Sequence, residues 1–288
     1  MPESAAIVSE GGELAVFRLG GPGPDGAEVL AVHGITSSSR AWVAVARALD
    51  GRATLHAVDL RGRGESHGLP GPYGLGVHCA DLLAVLDSLG LESAVLAGHS
   101  LGAYVVARFA VEHPERVRSV LMVDGGLEIP GAVGVEPQIF ADAFLGPALA
   151  RLKLTFQSAD DYYRWWRRHP ALGGTDVDDA DLFAYAEHDL VDGRPAINED
   201  AVRADVLGLV DTRYAHQLTV QARMLTAPRG LADEPSPMQP IEAARAWAAE
   251  DPAGRSVSLV PDVNHYTITL GRTGAARVAD EIAQVVSP

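Results

Sequence analysis

The pentapeptide Gly98-His99-Ser100-Leu101-Gly102 constrains this chain more than any other stretch. An apolar run, Ala94-Val95-Leu96-Ala97, leads into it, and Ala103-Tyr104-Val105-Val106-Ala107-Arg108-Phe109-Ala110 follows with helical character. A strand, a sharp turn and a helix in that order hold the central serine in a strained backbone conformation, and a side chain at either flanking glycine would crowd the turn. The Ser100 hydroxyl is then presented at the top of a sheet, at the positive end of the helix.

Three further segments stand in a consistent order around it. Glu28-Val29-Leu30-Ala31-Val32 reads as a buried strand that runs into His33-Gly34-Ile35-Thr36. Val58-Asp59-Leu60-Arg61-Gly62-Arg63-Gly64-Glu65-Ser66 closes a strand over residues 53–58. Val260-Pro261-Asp262-Val263-Asn264-His265-Tyr266 places a histidine in a loop just after a strand over residues 256–260. Between these segments strands and helices alternate, with helices over residues 39–49 and 73–89 and strands from 93 and over 117–123. An opening hairpin is expected from strands at 5–9 and 14–19 around a Gly11-Gly12 turn. The rhythm lapses between residues 127 and 217, where most of the aromatic residues fall and several short helices are expected. It resumes with a strand at 221–227, a helix at 238–250 and a last helix at 273–286.

Together the His-Gly dipeptide, the D-x-R-G-x-G-x-S run, the G-H-S-x-G turn and the late histidine resemble the α/β-hydrolase family, over nearly the whole chain except its middle. The resemblance implies an α/β fold with a mostly parallel central sheet flanked by helices and a helical cap inserted after strand 6. The core would comprise residues 1–126 and 218–288, and the cap residues 127–217. Ser100 would be the nucleophile and His265 its base, because a serine hydroxyl is almost wholly protonated at neutral pH without one. The oxyanion hole would take its backbone N–H groups from Leu101, after the nucleophile, and from Ile35, in the loop after an earlier strand. Family order is serine, acid, histidine, and both Asp124 and Asp233 satisfy it. Asp124 ends a strand directly. Asp233, in Gly230-Leu231-Ala232-Asp233, follows the next core strand but stands several residues beyond it, with Glu234 as a further carboxylate. The expected reaction is cleavage of a carboxylic ester or lactone through an acyl-enzyme, with Asp124 or Asp233 fixing the imidazole tautomer. The same triad would equally serve a C–C hydrolase or a cofactor-free perhydrolase, and the fold alone would serve a small-molecule receptor. A dehalogenase or epoxide hydrolase needs a carboxylate where Ser100 stands.

Trp165, Trp166, Tyr162 and Tyr266 are candidates for the wall of a hydrophobic pocket, so the expected partner is a small hydrophobic ester or lactone. Neighbouring helical residues point about 100° apart, so each adjacent pair presents only part of itself to one side. The net charge of −15 over 288 residues argues against nucleic acid and anionic membrane surfaces. Neither a run long enough to span a membrane nor a basic-then-apolar leader is read in the sequence, and Cys79 has no partner for an internal disulfide, so a cytoplasmic setting is expected. No metal or organic cofactor is expected. The acidic run Asp176-Val177-Asp178-Asp179-Ala180-Asp181 fails as a calcium loop, with Ala180 where an oxygen ligand belongs and Asp181 where glycine belongs. It reads instead as the cap of a following helix. Residues 20–26 are glycine-rich without a following Gly-Lys-Ser/Thr and read as a turn.

Overall fold

Val29 and Ala31 pack to one side of β3 (Glu28–Val32), Leu30 and Val32 to the other, and all four are fully buried. Both faces of the sheet are therefore covered, as in parallel sheets sandwiched by helices. The computed structural model describes residues 3–9, 12–24, 27–132, 134–251 and 254–286. The chain opens with β1 (Glu3–Ser9) and β2 (Gly12–Leu19), then β3, α1 (Val43–Leu49), β4 (Thr54–Val58), α2 (Leu75–Ser88), β5 (Ala94–His99), α3 (Leu101–Glu112) and β6 (Val117–Val123). An insertion follows: α4 (Pro137–Leu152), α5 (Ala159–Arg168), α6 (Asp179–His188), a two-strand ribbon of β7 (Leu190–Val191) and β8 (Arg194–Pro195), α7 (Glu199–Val206) and α8 (Arg213–His216). The core resumes with β9 (Gln221–Thr226), α9 (Ile241–Ala249), β10 (Arg255–Leu259), α10 (Thr267–Leu270) and α11 (Arg272–Val286).

Eight strands form one sheet in the order β1-β2-β4-β3-β5-β6-β9-β10. The first two pairings are antiparallel and the remainder parallel. Leu82, Phe109 and Trp247 of α2, α3 and α9 cover one face, while Val45, Val278 and Ile282 of α1 and α11 cover the other. Chain direction across the sheet reverses between β3 and β5, and the carboxyl ends of those two strands deliver Gly34 and Ser100 to one crevice.

Several boundaries differ from the sequence reading. The expected helix over 39–49 is a 3-10 turn at Ser39–Trp42 followed by α1, because the Ser39 N–H donates to Asp59 Oδ1 at 2.7 Å and ties the turn to the end of β4. The hairpin register brings Ser9 opposite Gly12, while Gly11 lies outside the described residues. The end of the expected insertion packs on α9, where Trp247 Nε1–H donates to the Ala215 carbonyl at 2.9 Å. Asp178 caps α6 by accepting the Ala180 N–H at 2.9 Å and that of Asp181 at 3.4 Å. Among the described residues, no helix is long and apolar enough to cross a membrane and no cluster of three His, Cys, Asp or Glu side chains could hold a metal ion.

Candidate active site

Ser100 sits at φ 54° and ψ −120°, a region that L-residues occupy only when neighbours enforce it, at a cost of about 1–3 kcal/mol. The enforcement is visible on both sides of the turn. A Cβ on Gly98 would fall 2.2 Å from the Gly102 carbonyl oxygen, and one on Gly102 would fall 2.1 Å from that of Val32. Strand, turn and helix therefore touch backbone to backbone, and only glycine permits it. The loop after β3 comes alongside less tightly: a Cβ on Gly34 would lie 3.2 Å from Ser100 Cβ and 3.6 Å from its Oγ. Ile35 follows, its N–H without an acceptor among the described residues, and Leu101 opens α3, where the first N–H groups have no intrahelical partner.

His265 Nδ1–H donates to Asp124 Oδ2 at 2.6 Å, with both side chains buried. The other carboxylate oxygen accepts the Ala227 N–H at 3.0 Å, and the Asp124 N–H donates to Leu225 at 2.7 Å. Asp124 is thus gripped from three sides at the end of β6, with φ 46° turning its side chain toward the histidine loop. Committing Nδ1 to Asp124 leaves His265 Nε2 as the ring nitrogen open to the cavity that Ser100 also lines. Asp233 is placed otherwise. Its Oδ1 accepts from Asn264 Nδ2 at 2.9 Å and lies 2.7 Å from Arg229 Nε. Asn264 in turn accepts the N–H groups of Tyr266 and Thr267 at 3.0 and 2.9 Å. The Asp233 carboxylate therefore braces the loop that carries His265 rather than touching the imidazole. Glu234 accepts the Ala232 N–H at 2.7 Å and is likewise off the ring.

Two further histidines hold backbone. His99 Nε2–H donates to the His265 carbonyl at 2.9 Å, and burial keeps its ring well below the usual imidazole range. His33 Nδ1–H donates to the Gly34 carbonyl at 2.7 Å while Nε2 accepts the Leu60 N–H at 3.0 Å. That arrangement requires a neutral ring, and burial pulls His33 down to about 4.

The cavity holds about 430 Å³. Trp165, Trp166 and Tyr266 line it, together with Phe144 and Tyr185. Tyr162, expected in the wall, stands behind it. The ring is fully buried and its hydroxyl donates to Asp189 Oδ2 at 2.8 Å, so it supports the wall from within the insertion. A larger cavity of about 680 Å³, between β2, α1 and α6, contains neither Ser100 nor His265.

Sequence reasoning missed two arginines. Arg63 Nε–H donates to the Ile35 carbonyl at 3.0 Å, and its Nη1 pairs with Asp205 of α7 at 2.5 Å. Arg151 of α4 donates from Nη2 to the Thr36 carbonyl at 2.7 Å and from Nη1 to Asp189 at 3.0 Å and to the Tyr162 hydroxyl. Consecutive carbonyls of the loop beside Ser100 are thus held by two buried arginines, each backed by a buried aspartate of the insertion. Arg63 stands inside the glycine-rich run after β4, which signals something there. Arg151 lies in a helix with no motif around it.

The family model for the alpha/beta hydrolase fold matches residues 29–161. The solved structure of an E-2-(acetamidomethylene)succinate hydrolase superposes with a TM-score of 0.80 at 22% identity, over 99% of both chains. Lipase LipV of Mycobacterium tuberculosis is 32% identical over 142 residues, 48% of this chain and 53% of that protein. The N-formylmaleamate deformylase of Pseudomonas putida is 36% identical over 116 residues, 40% of this chain and 42% of that one. The matches span a third to about half the length of the curated relatives.

Proposed function

We propose that the chain is a serine hydrolase of the α/β-hydrolase type, cleaving a carboxylic ester or lactone that carries a hydrophobic portion; the family-model match over residues 29–161 supports the reading. Ser100 Oγ attacks the carbonyl carbon as His265 Nε2 takes its proton, and the imidazolium then protonates the departing alkoxide. Asp124 holds the tautomer with Nε2 unprotonated and stabilises the cation that forms. The N–H groups of Ile35 and Leu101 receive the developing oxyanion, where one such donor contributes about 3 kcal/mol to the transition state. Water, activated by the same histidine, releases the acid. The insertion covers the site and shields the acyl-enzyme between these steps.

One observation carries this reading: the 2.6 Å His265–Asp124 contact opens onto the cavity in which Ser100 is held at positive φ. The likeness to a lipase supports an ester. The likeness to a deformylase supports a second reading, in which the same groups cleave a C–N acyl bond. Release of 4-nitrophenol from a 4-nitrophenyl ester tests the proposal. Turnover by the wild type and none by Ser100→Ala is expected, and equal rates from both would refute it.

A further inference from the structure

Arg151 is a buried cation with unspent donors. Its side chain is 4% exposed, yet it forms part of the wall of the cavity that holds Ser100. Three of its five N–H groups are engaged, with Asp189, Tyr162 and Thr36. Among the described residues the Nε–H and the second Nη2–H have no partner, and Nε is not sealed from solvent. The Nε and Nη2 atoms share the side-on edge of a guanidinium, the edge that matches the two oxygens of a carboxylate. The group is also held still: its Cζ lies 4.9 Å over the Trp166 ring, and Asp189 grips the opposite nitrogen. A second donor stands in the same wall. His169 Nδ1 accepts the Ala171 N–H at 3.3 Å, and burial beside Arg151 lowers this histidine, so a neutral ring keeps a proton on Nε2. The other charged side chain of the wall, Glu234, is turned back onto its own loop.

We propose that Arg151, with His169, binds a carboxylate of the substrate, so the preferred substrate is a monoester or half-amide of a short dicarboxylic acid. This rests on the serine-hydrolase reading. Arg151 bonds the Thr36 carbonyl, and Thr36 is two residues from Gly34, which abuts Ser100. Two residues of chain span at most ~7 Å, so the guanidinium is tied to the loop beside Ser100, and a short dicarboxylic backbone is the class to test. The aromatic side of the cavity takes the remaining, hydrophobic group.

The test compares mono(4-nitrophenyl) glutarate with its methyl ester, which has the same length and leaving group but no charge. The wild type should favour the free acid by about 10- to 100-fold in kcat/KM, mostly through KM. In Arg151→Gln the ratio should collapse toward one, whatever loss both esters share through Thr36. Equal kcat/KM in the wild type, or an undiminished ratio in the variant, would overturn the inference. Arg151→Gln leaves Asp189 buried and unpaired, so Arg151→Gln combined with Asp189→Asn provides a second background. Titrating wild type and Ser100→Ala with glutarate, read by the fluorescence of Trp165 and Trp166, provides a measurement free of turnover. Saturable quenching that dimethyl glutarate does not reproduce is expected, and its absence would overturn the proposal. Failure of the wild type to hydrolyse either ester would count against the serine-hydrolase reading alone, and the glutarate titration would still decide this one.

Discussion

The two halves of the cavity wall are held by different physics. On the strand side, Gly98 and Gly102 let backbones approach so closely that Ser100 has no other place to sit, and Asp124 is fixed by main-chain bonds at the end of β6. On the inserted side, position is set by side chains: the Arg63–Asp205 and Arg151–Asp189 pairs reach from buried ground to the carbonyls of Ile35 and Thr36. Main-chain crowding tolerates almost no substitution. Paired charges act through reach and geometry, and removing one partner leaves the other buried and uncompensated without touching the sheet's own main-chain bonds. On the proposed function, the strand side sets what chemistry occurs, and the inserted side sets how well the proposed oxyanion loop is formed and what the cavity accepts.

That contrast can be broken or sharpened by substitution. Ser100→Ala should lower kcat by about 10⁵-fold with the fold retained, and a residue of more than about a thousandth of wild-type activity would remove Ser100 from the chemistry. Asp124→Asn should cost about 10³- to 10⁴-fold in kcat, since an amide facing Nδ1 favours the wrong tautomer, with circular dichroism checking the fold. Asp205→Asn, on the inserted side, should cost only about tenfold in kcat with KM little changed, through a displaced Ile35. A loss as large as that of Asp124→Asn would erase the distinction between the two halves.

Protonation tests the crowded side separately. The folded protein keeps His33 neutral to about 4, whereas an unfolded chain protonates it near its ordinary 6.5. The unfolded state thus binds the extra proton, and stability should fall as pH drops from 6.5 toward 4, by on the order of 3 kcal/mol for this group. Urea unfolding at pH 7 and 4.5 measures the slope, which His33→Gln should flatten. An unchanged slope in that variant would place the titration elsewhere. The smallest effect belongs to Asp233→Asn. The partly exposed Arg229 contact contributes little, and an amide oxygen still accepts from Asn264, so less than about threefold in kcat is expected.

The same contrast explains how much the sequence discloses. Glycines forced by backbone contact at Gly98 and Gly102 leave a short, fixed spelling, so the turn at Ser100 was legible, while the Gly34 loop and the late histidine were read from their order around it. Two aspartates satisfied the serine–acid–histidine order, and the choice between them was open because it depends on where the loop after β9 travels. In space Asp124 meets the ring, while Asp233, for all its position in a Gly-x-x-Asp pattern, stops at Asn264. Tyr162 and Trp166 both looked like wall residues, but helix α5 turns the Tyr162 hydroxyl toward Asp189 and leaves Trp165 and Trp166 at the cavity. Arg151 was invisible, because a buried arginine in a helix is spelled like an exposed one and its partners lie 38 and 115 residues away.

The central claim, that Ser100 is the activated nucleophile of this chain, is tested most directly by covalent labelling. A fluorophosphonate should add one adduct by intact mass, map to the peptide bearing Ser100, and form much more slowly in Asp124→Asn. Ser100→Ala should take up none. Labelling at another residue, or an adduct undiminished in Ser100→Ala, would contradict the account.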